Sequence, residues 1–170
     1  DRLSIYQFFH VVRNDGTKEL PVSELLSLSR AKADDQVADL LRLPRGATSA
    51  QVFRLRNVLR VSGVPVVFSD IVVPASLFPG LNEAIVRKGG TTLYALYQSR
   101  FGVSIIRTIE RLRAVKSDTA AARMFGVRTG DPVLEVRRIA YTFNDVPVEF
   151  RRSRVDTRQF HYFLDLGSDR

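Results

Sequence analysis

Ser62-Gly63-Val64-Pro65-Val66 and Asn144-Asp145-Val146-Pro147-Val148 are one phrase written twice, and what flanks them decides the fold. Gly63 and Asp145 tolerate a tight backbone turn, and Pro65 and Pro147 fix φ where a returning strand begins and a missing N–H does little harm. Upstream of the two phrases lie strand patterns, Val52 to Val61 and Val133 to Thr142. Further upstream come two short helical stretches, one ending in Leu40, Leu41 and Leu43, the other running from Ala120 to Val127. Each is led in by a further strand pattern, Ser27 to Ala33 and Arg111 to Lys116. Asp34 or Asp35, and Ser117 or Asp118, suit the helix N-caps, while Gly46 and Gly130 fit just past the helix ends. Self-similarity on this scale means one structural unit used twice. Two antiparallel βαββ units pool six strands into one sheet with helices on one face, an α+β architecture.

Between the copies, Pro74 and Pro79-Gly80 bound a connector that leads to two helix candidates, Asn82 to Lys88 and Thr92 to Arg100. Leu93, Leu96, Tyr97 and Phe101 recur at helical spacing, Thr91 or Thr92 caps, and Gly89-Gly90 breaks the chain before them. After the second copy, Thr157 to His161 and Tyr162 to Leu166 close the domain.

Composition narrows the function classes. The 170 residues, 45% apolar and 26% charged, suit one globular domain spanning 1–170, and no apolar run is long enough to cross a bilayer. Without cysteine and with only His10 and His161, thiolate metal sites and disulfides are closed, and no cofactor, metal ligand set or catalytic set is expected. The opening residues, Asp1 to Val12, carry no small-residue cleavage site, so a cytoplasmic location is expected. Starting at Asp1 rather than methionine, the chain reads as a piece of a longer protein. The balance of 26 basic to 18 acidic residues, +8, favours an anionic partner.

Strand alternation then sorts the side chains by face. Arg54, Arg56 and Arg60 share a face with Val58, opposite Phe53, Leu55, Leu59 and Val61, and form a ladder of cations that is a candidate anion site. On the last long strand, Glu149 and Arg151 share a face with Ser153; Glu149 is placed to accept from ligand hydroxyls and Arg151 to hold a carboxylate or phosphate. Alternation alone serves an exposed Glu–Arg pair on a wet sheet equally well.

In order and spacing, Arg54-Leu55-Arg56, Gly63 to Val66, Pro74, Phe78 to Leu81, Leu93-Tyr94, Glu110 to Ala114, Gly130 to Leu134 and Val146 to Glu149 resemble the UTRA effector domain of HutC-type GntR regulators. That resemblance covers nearly the whole chain and implies a fold similar to chorismate lyase, with a cleft over the sheet holding a small, often anionic metabolite. It also implies a homodimeric repressor, a winged helix-turn-helix domain binding operator DNA on the amino-terminal side, and residues 1–15 as the junction. The site positions it implies are arginines on the first long strand, here Arg54 and Arg56, the pair at Ser69 and Asp70 on the returning one, Thr92 and Tyr94 at the middle helix, and Glu149; Arg151, set beside Glu149 by alternation, completes the candidate set. Three departures point away from a sugar phosphate: Ser69-Asp70 replaces an acidic pair found in many relatives, the positions of the relatives' phosphate-holding arginines align with Asn57 and Leu59, and a tyrosine of those relatives falls at Val155. The alternatives are a chorismate-lyase-like enzyme, against which no paired carboxylates or nucleophile–base set stands out, and a basic nucleic-acid-binding module, against which no recognition-helix pattern is seen.

Overall fold

The computed structural model describes residues 8–46 and 50–167. Among these described residues there are eight strands: β1 Val11–Arg13, β2 Val22–Lys32, β3 Gln51–Val61, β4 Val64–Pro74, β5 Arg107–Lys116, β6 Pro132–Tyr141, β7 Pro147–Val155 and β8 Phe160–Tyr162. The described α-helices that join them are α1 Asp35–Leu41, α2 Glu83–Lys88, α3 Leu93–Phe101 and α4 Thr119–Phe125. Six strands form one antiparallel sheet in the order β2-β3-β4-β7-β6-β5, and β1 pairs with β8 in a separate ribbon. The doubled unit is β2-α1-β3-β4 followed by β5-α4-β6-β7, and the two copies meet where β4 pairs with β7.

Local chemistry accounts for the repeat. The Asp34 carboxylate accepts from the Val37 amide at 2.8 Å and the Asp118 carboxylate from the Ala121 amide at 2.8 Å, so both repeat helices start on an aspartate N-cap. Both hairpins turn through two residues at positive φ, Ser62 (50°) and Gly63 (78°) in the first, Asn144 (60°) and Asp145 (56°) in the second, the pairing that matches strand twist. Gly46 and Gly130 do not end the helices. Arg42 closes α1 and Gly126 closes α4, each left-handed, because both helices stop after two turns.

The helices on one face are the repeat helices alone. Val37, Ala38 and Leu41 of α1 pack on Val52, Val72 and Phe150, and Ala121 and Phe125 of α4 pack on Phe68 and Val133. The opposite face is covered by the connector helices: Leu93, Leu96 and Tyr97 of α3 sit on Phe53, Leu55, Ile71 and Val73, with Val86 of α2 packed at the edge. Adjacent strand residues such as Val52 and Phe53, or Val72 and Val73, therefore serve two cores. An apolar pattern inside a strand with both faces covered cannot by itself say which helices lie on which side.

Candidate functional site

Strand register lays out the floor of a cavity in three rows on the α3 side of the sheet. In the first row Arg151 and Arg138 line the cavity, while Leu55 and Ile71, in register with them, lie in the core under α3; the second holds Asn57, Ser69, Ser153 and Val136; the third holds Leu59, Val67 and Val155. Above this floor, Leu93, Tyr94 and Leu96 of α3, the Gly89-Gly90 loop, residues of β2 and the segment Phe8–Val11 enclose about 690 Å³. That volume lies within the range of small-molecule sites.

The first row carries a buried polar network. Arg151 grips Glu149 with both arms, Nε to Oε1 at 2.9 Å and Nη2 to Oε2 at 3.0 Å. The hydroxyls of Tyr94 and Tyr97 donate to the same carboxylate at 3.0 and 2.6 Å. Glu149 is fully buried. Burial alone would push its carboxyl up, but Arg151 beside it, the Tyr97 hydroxyl and Arg138 hold it below the ordinary carboxylate range, so the charge persists inside the protein. Burial and the Glu149 charge push the Tyr94 and Tyr97 hydroxyls up. Arg138 pairs with Glu110 at 2.6 Å, meets the Tyr94 hydroxyl at 3.4 Å and donates to the Phe8 carbonyl at 2.5 Å. Tyr162 also donates to Glu110.

Of the residues expected at a site, Ser69, Thr92, Tyr94 and Arg151 line this cavity, and Glu149 stands directly behind Arg151 and Tyr94. Thr92 is in addition the α3 N-cap, its hydroxyl accepting from the Ala95 amide at 3.2 Å. Arg54, Arg56 and Asp70 lie on the other face. There Arg54 pairs with Asp34 at 3.2 Å and Arg56 with Asp70 at 2.9 Å, while Arg154 also reaches Asp70 at 2.7 Å. The cation ladder and the Glu149–Arg151 pair are thus separated by the thickness of the sheet, and the positions that face the cavity from β3 are Asn57 and Leu59.

Sequence reasoning passed over Arg138, Tyr97, Ser153 and the segment Phe8–Val11. Arg138 left a signal, since it shares its face of β6 with Leu134, Val136 and Ala140, and a cation among apolar neighbours asks for a buried partner. Tyr97 looked like core, which it also is: its ring stacks against Phe78 with centroids 4.7 Å apart.

The family model of the UTRA domain matches residues 18–161. Among curated proteins, the HTH-type transcriptional repressor PhnF of Mycolicibacterium smegmatis is 32% identical over 129 residues, 76% of this chain and 50% of that protein. The HTH-type transcriptional regulator GmuR of Bacillus subtilis is 28% identical over 120 residues, 71% of this chain and 48% of that protein. The chain thus spans about half the length of the curated relatives it matches. Among solved structures, a ligand-binding domain assigned to a GntR-family transcriptional regulator of Bordetella bronchiseptica superposes with a TM-score of 0.90 at 33% identity, covering 95% of this chain and 99% of that one. The effector domain of PhnF superposes with a TM-score of 0.69 at 28% identity, covering 81% and 82%.

Proposed function

The chain belongs to the UTRA domain family, and from that premise we propose that it is the effector-sensing domain of a homodimeric, cytoplasmic transcription repressor that binds a small anionic metabolite. Residues 1–170 form the one sensing domain, and an amino-terminal winged helix-turn-helix domain meets operator DNA. The observation that carries this reading is the cavity of about 690 Å³ with the partly buried Arg151 on its floor and the amino-terminal segment Phe8–Val11 in its wall. A ligand there touches both the Arg151 row and the stretch that leads toward the DNA-binding side, so occupancy changes how that stretch is held. Arg151 uses Nε and Nη2 on Glu149, which leaves Nη1 for an anion.

The named relatives are transcriptional regulators and repressors, which favours sensing over turnover. The arginines Arg54, Arg56 and Arg60 each pair with a carboxylate, which weakens the case for a bare cationic surface that grips nucleic acid directly. The test is operator binding by the full-length repressor, wild type and Ser153→Trp. Filling the second row is expected to abolish the metabolite response while leaving operator affinity in its absence within about twofold. An unchanged metabolite response in Ser153→Trp places the effector elsewhere.

A further inference from the structure

The cavity floor changes chemistry in one direction. Its rows are two strand residues apart, about 7 Å, so the first and third rows are about 13 Å apart. Over that distance the floor passes from arginines, through hydroxyl and amide groups, to the aliphatic side chains of Leu59, Val67 and Val155. Phe9 and Val11 pack against this third row from the amino-terminal side and extend the apolar wall. We infer that the cavity takes a carboxylate of single charge with an unbranched or aromatic apolar tail, head on Arg151 and tail over the third row, an inference that rests on the effector reading above.

Charge balance at the head decides against a phosphate. Arg151 is neutralised by Glu149 and Arg138 by Glu110, so the first row enters with two cations and two carboxylates. A third cation of the lining, Arg87, is committed to the Leu25 carbonyl at 2.8 Å and to Glu83. A dianion would leave two negative charges uncompensated in a site of low dielectric, and the desolvation penalty grows steeply with charge. A monoanion leaves one, met by the Nη1 donor that Glu149 does not use.

The second row favours a methylene chain over a polyol. The Ser69 and Ser153 hydroxyls lie 2.7 Å apart and share a hydrogen bond, and the Asn57 amide donates to the Ser23 hydroxyl at 3.0 Å. Each of these groups already has a partner inside the protein, so a sugar hydroxyl seated here meets only the donor and acceptor capacity that is left over. A methylene chain leaves those pairs intact and collects its gain at the third row, where burial is worth about 0.8 kcal/mol per CH₂.

Calorimetric titration of the 170-residue chain with butanoate, hexanoate, octanoate, 1-octanol and glucose 6-phosphate tests the class of ligand without touching the protein. Affinity is expected to climb from butanoate to octanoate, by up to about fourfold for each methylene that reaches the third row. Octanol is expected to bind at least tenfold more weakly than octanoate, and glucose 6-phosphate to give no heat. Leu59→Gln, with its melting temperature recorded alongside, is expected to lose tenfold or more for octanoate and nothing for butanoate. Tighter binding of glucose 6-phosphate than of octanoate overturns the class while leaving the effector reading standing. Absence of a chain-length trend overturns it too, and silence of every probe overturns it and removes the cavity's support for the effector reading as well.

Discussion

Arg138 Nη2 donates to the Phe8 carbonyl at 2.5 Å, so the amino-terminal segment is tied by one guanidinium to the same network that holds Tyr94 and Glu110. The tie is reinforced by the Phe8 ring edge-on to Tyr94, centroids 5.6 Å apart, and by the pairing of β1 with β8. Anything that shifts Tyr94 or draws on Arg138 is felt at Phe8. Arg138→Gln is expected to cost about 3 kcal/mol, because Glu110 is left buried beside a neutral group. Hydrogen exchange checks the local consequence: the Phe163 amide, which donates to the His10 carbonyl at 2.7 Å, should lose protection ahead of the sheet amides of β4 and β7. Simultaneous loss in both places would mean global destabilisation and no special tie.

Glu149 gives the protein an acid limb. Its folded carboxyl titrates below its ordinary value, and so does Asp70 on the other face, where burial is outweighed by Arg154 and Arg56. A lowered folded value means stability that is complete above the ordinary carboxylate pKa, about 4, and is lost as pH falls toward the folded values. The urea midpoint of the wild-type chain is therefore expected to fall steeply below about pH 4. Glu149→Gln should be less stable at pH 7 by about 3 kcal/mol and show a shallower fall below pH 4, since Arg151 has already lost its partner. Equal slopes in the two proteins would remove Glu149 from the acid response.

At the other end of the scale, Tyr97 and Tyr94 stay protonated when an exposed tyrosine ionises. Their folded values lie above the ordinary one, chiefly through burial and then through the Glu149 charge. The associated stability is present below about pH 10 and is lost as pH rises beyond it. Absorbance at the phenolate band should show these two tyrosines ionising only together with unfolding, whereas Tyr97→Phe removes one late step and leaves the Tyr94 step in place.

The repeat supplies a paired control. Asp34→Ala and Asp118→Ala each remove an N-cap bond to the third residue of a short helix and should each cost about 1 kcal/mol by denaturant melting. Asp118 also lies 3.7 Å from Arg152, and Asp34 3.2 Å from Arg54; both pairs are half exposed and add little. A cost well above 2 kcal/mol at either position would show that the ion pair matters more than the cap.

What the sequence made legible follows from how locally each feature is encoded. The doubled unit, both hairpins and the cap positions, to within one residue (Thr91 or Thr92, Ser117 or Asp118), rest on residues within a few positions of one another, and they were readable. Alternation also grouped Glu149 with Arg151, and Arg54 with Arg56, since period two needs only one strand. It could not say which group faces the cavity, because both faces of the sheet are covered and the choice is made by where α3 packs. Nor could it bring Phe8 to Arg138, a contact between positions far apart in the chain. Residues 1–7 of the expected junction lie outside the described residues.

On this proposal the α3-side cavity, and not the arginine ladder across the sheet, receives the small molecule. Solution NMR of the isotope-labelled chain, titrated with octanoate and separately with glucose 6-phosphate, locates whichever binds. Shifts at the Arg151 and Arg138 side-chain N–H groups, the amides of Ser69 and Ser153, and Phe8 to Val11 are the predicted outcome. Shifts confined to Arg54, Arg56, Arg60 and Asp70 would contradict it.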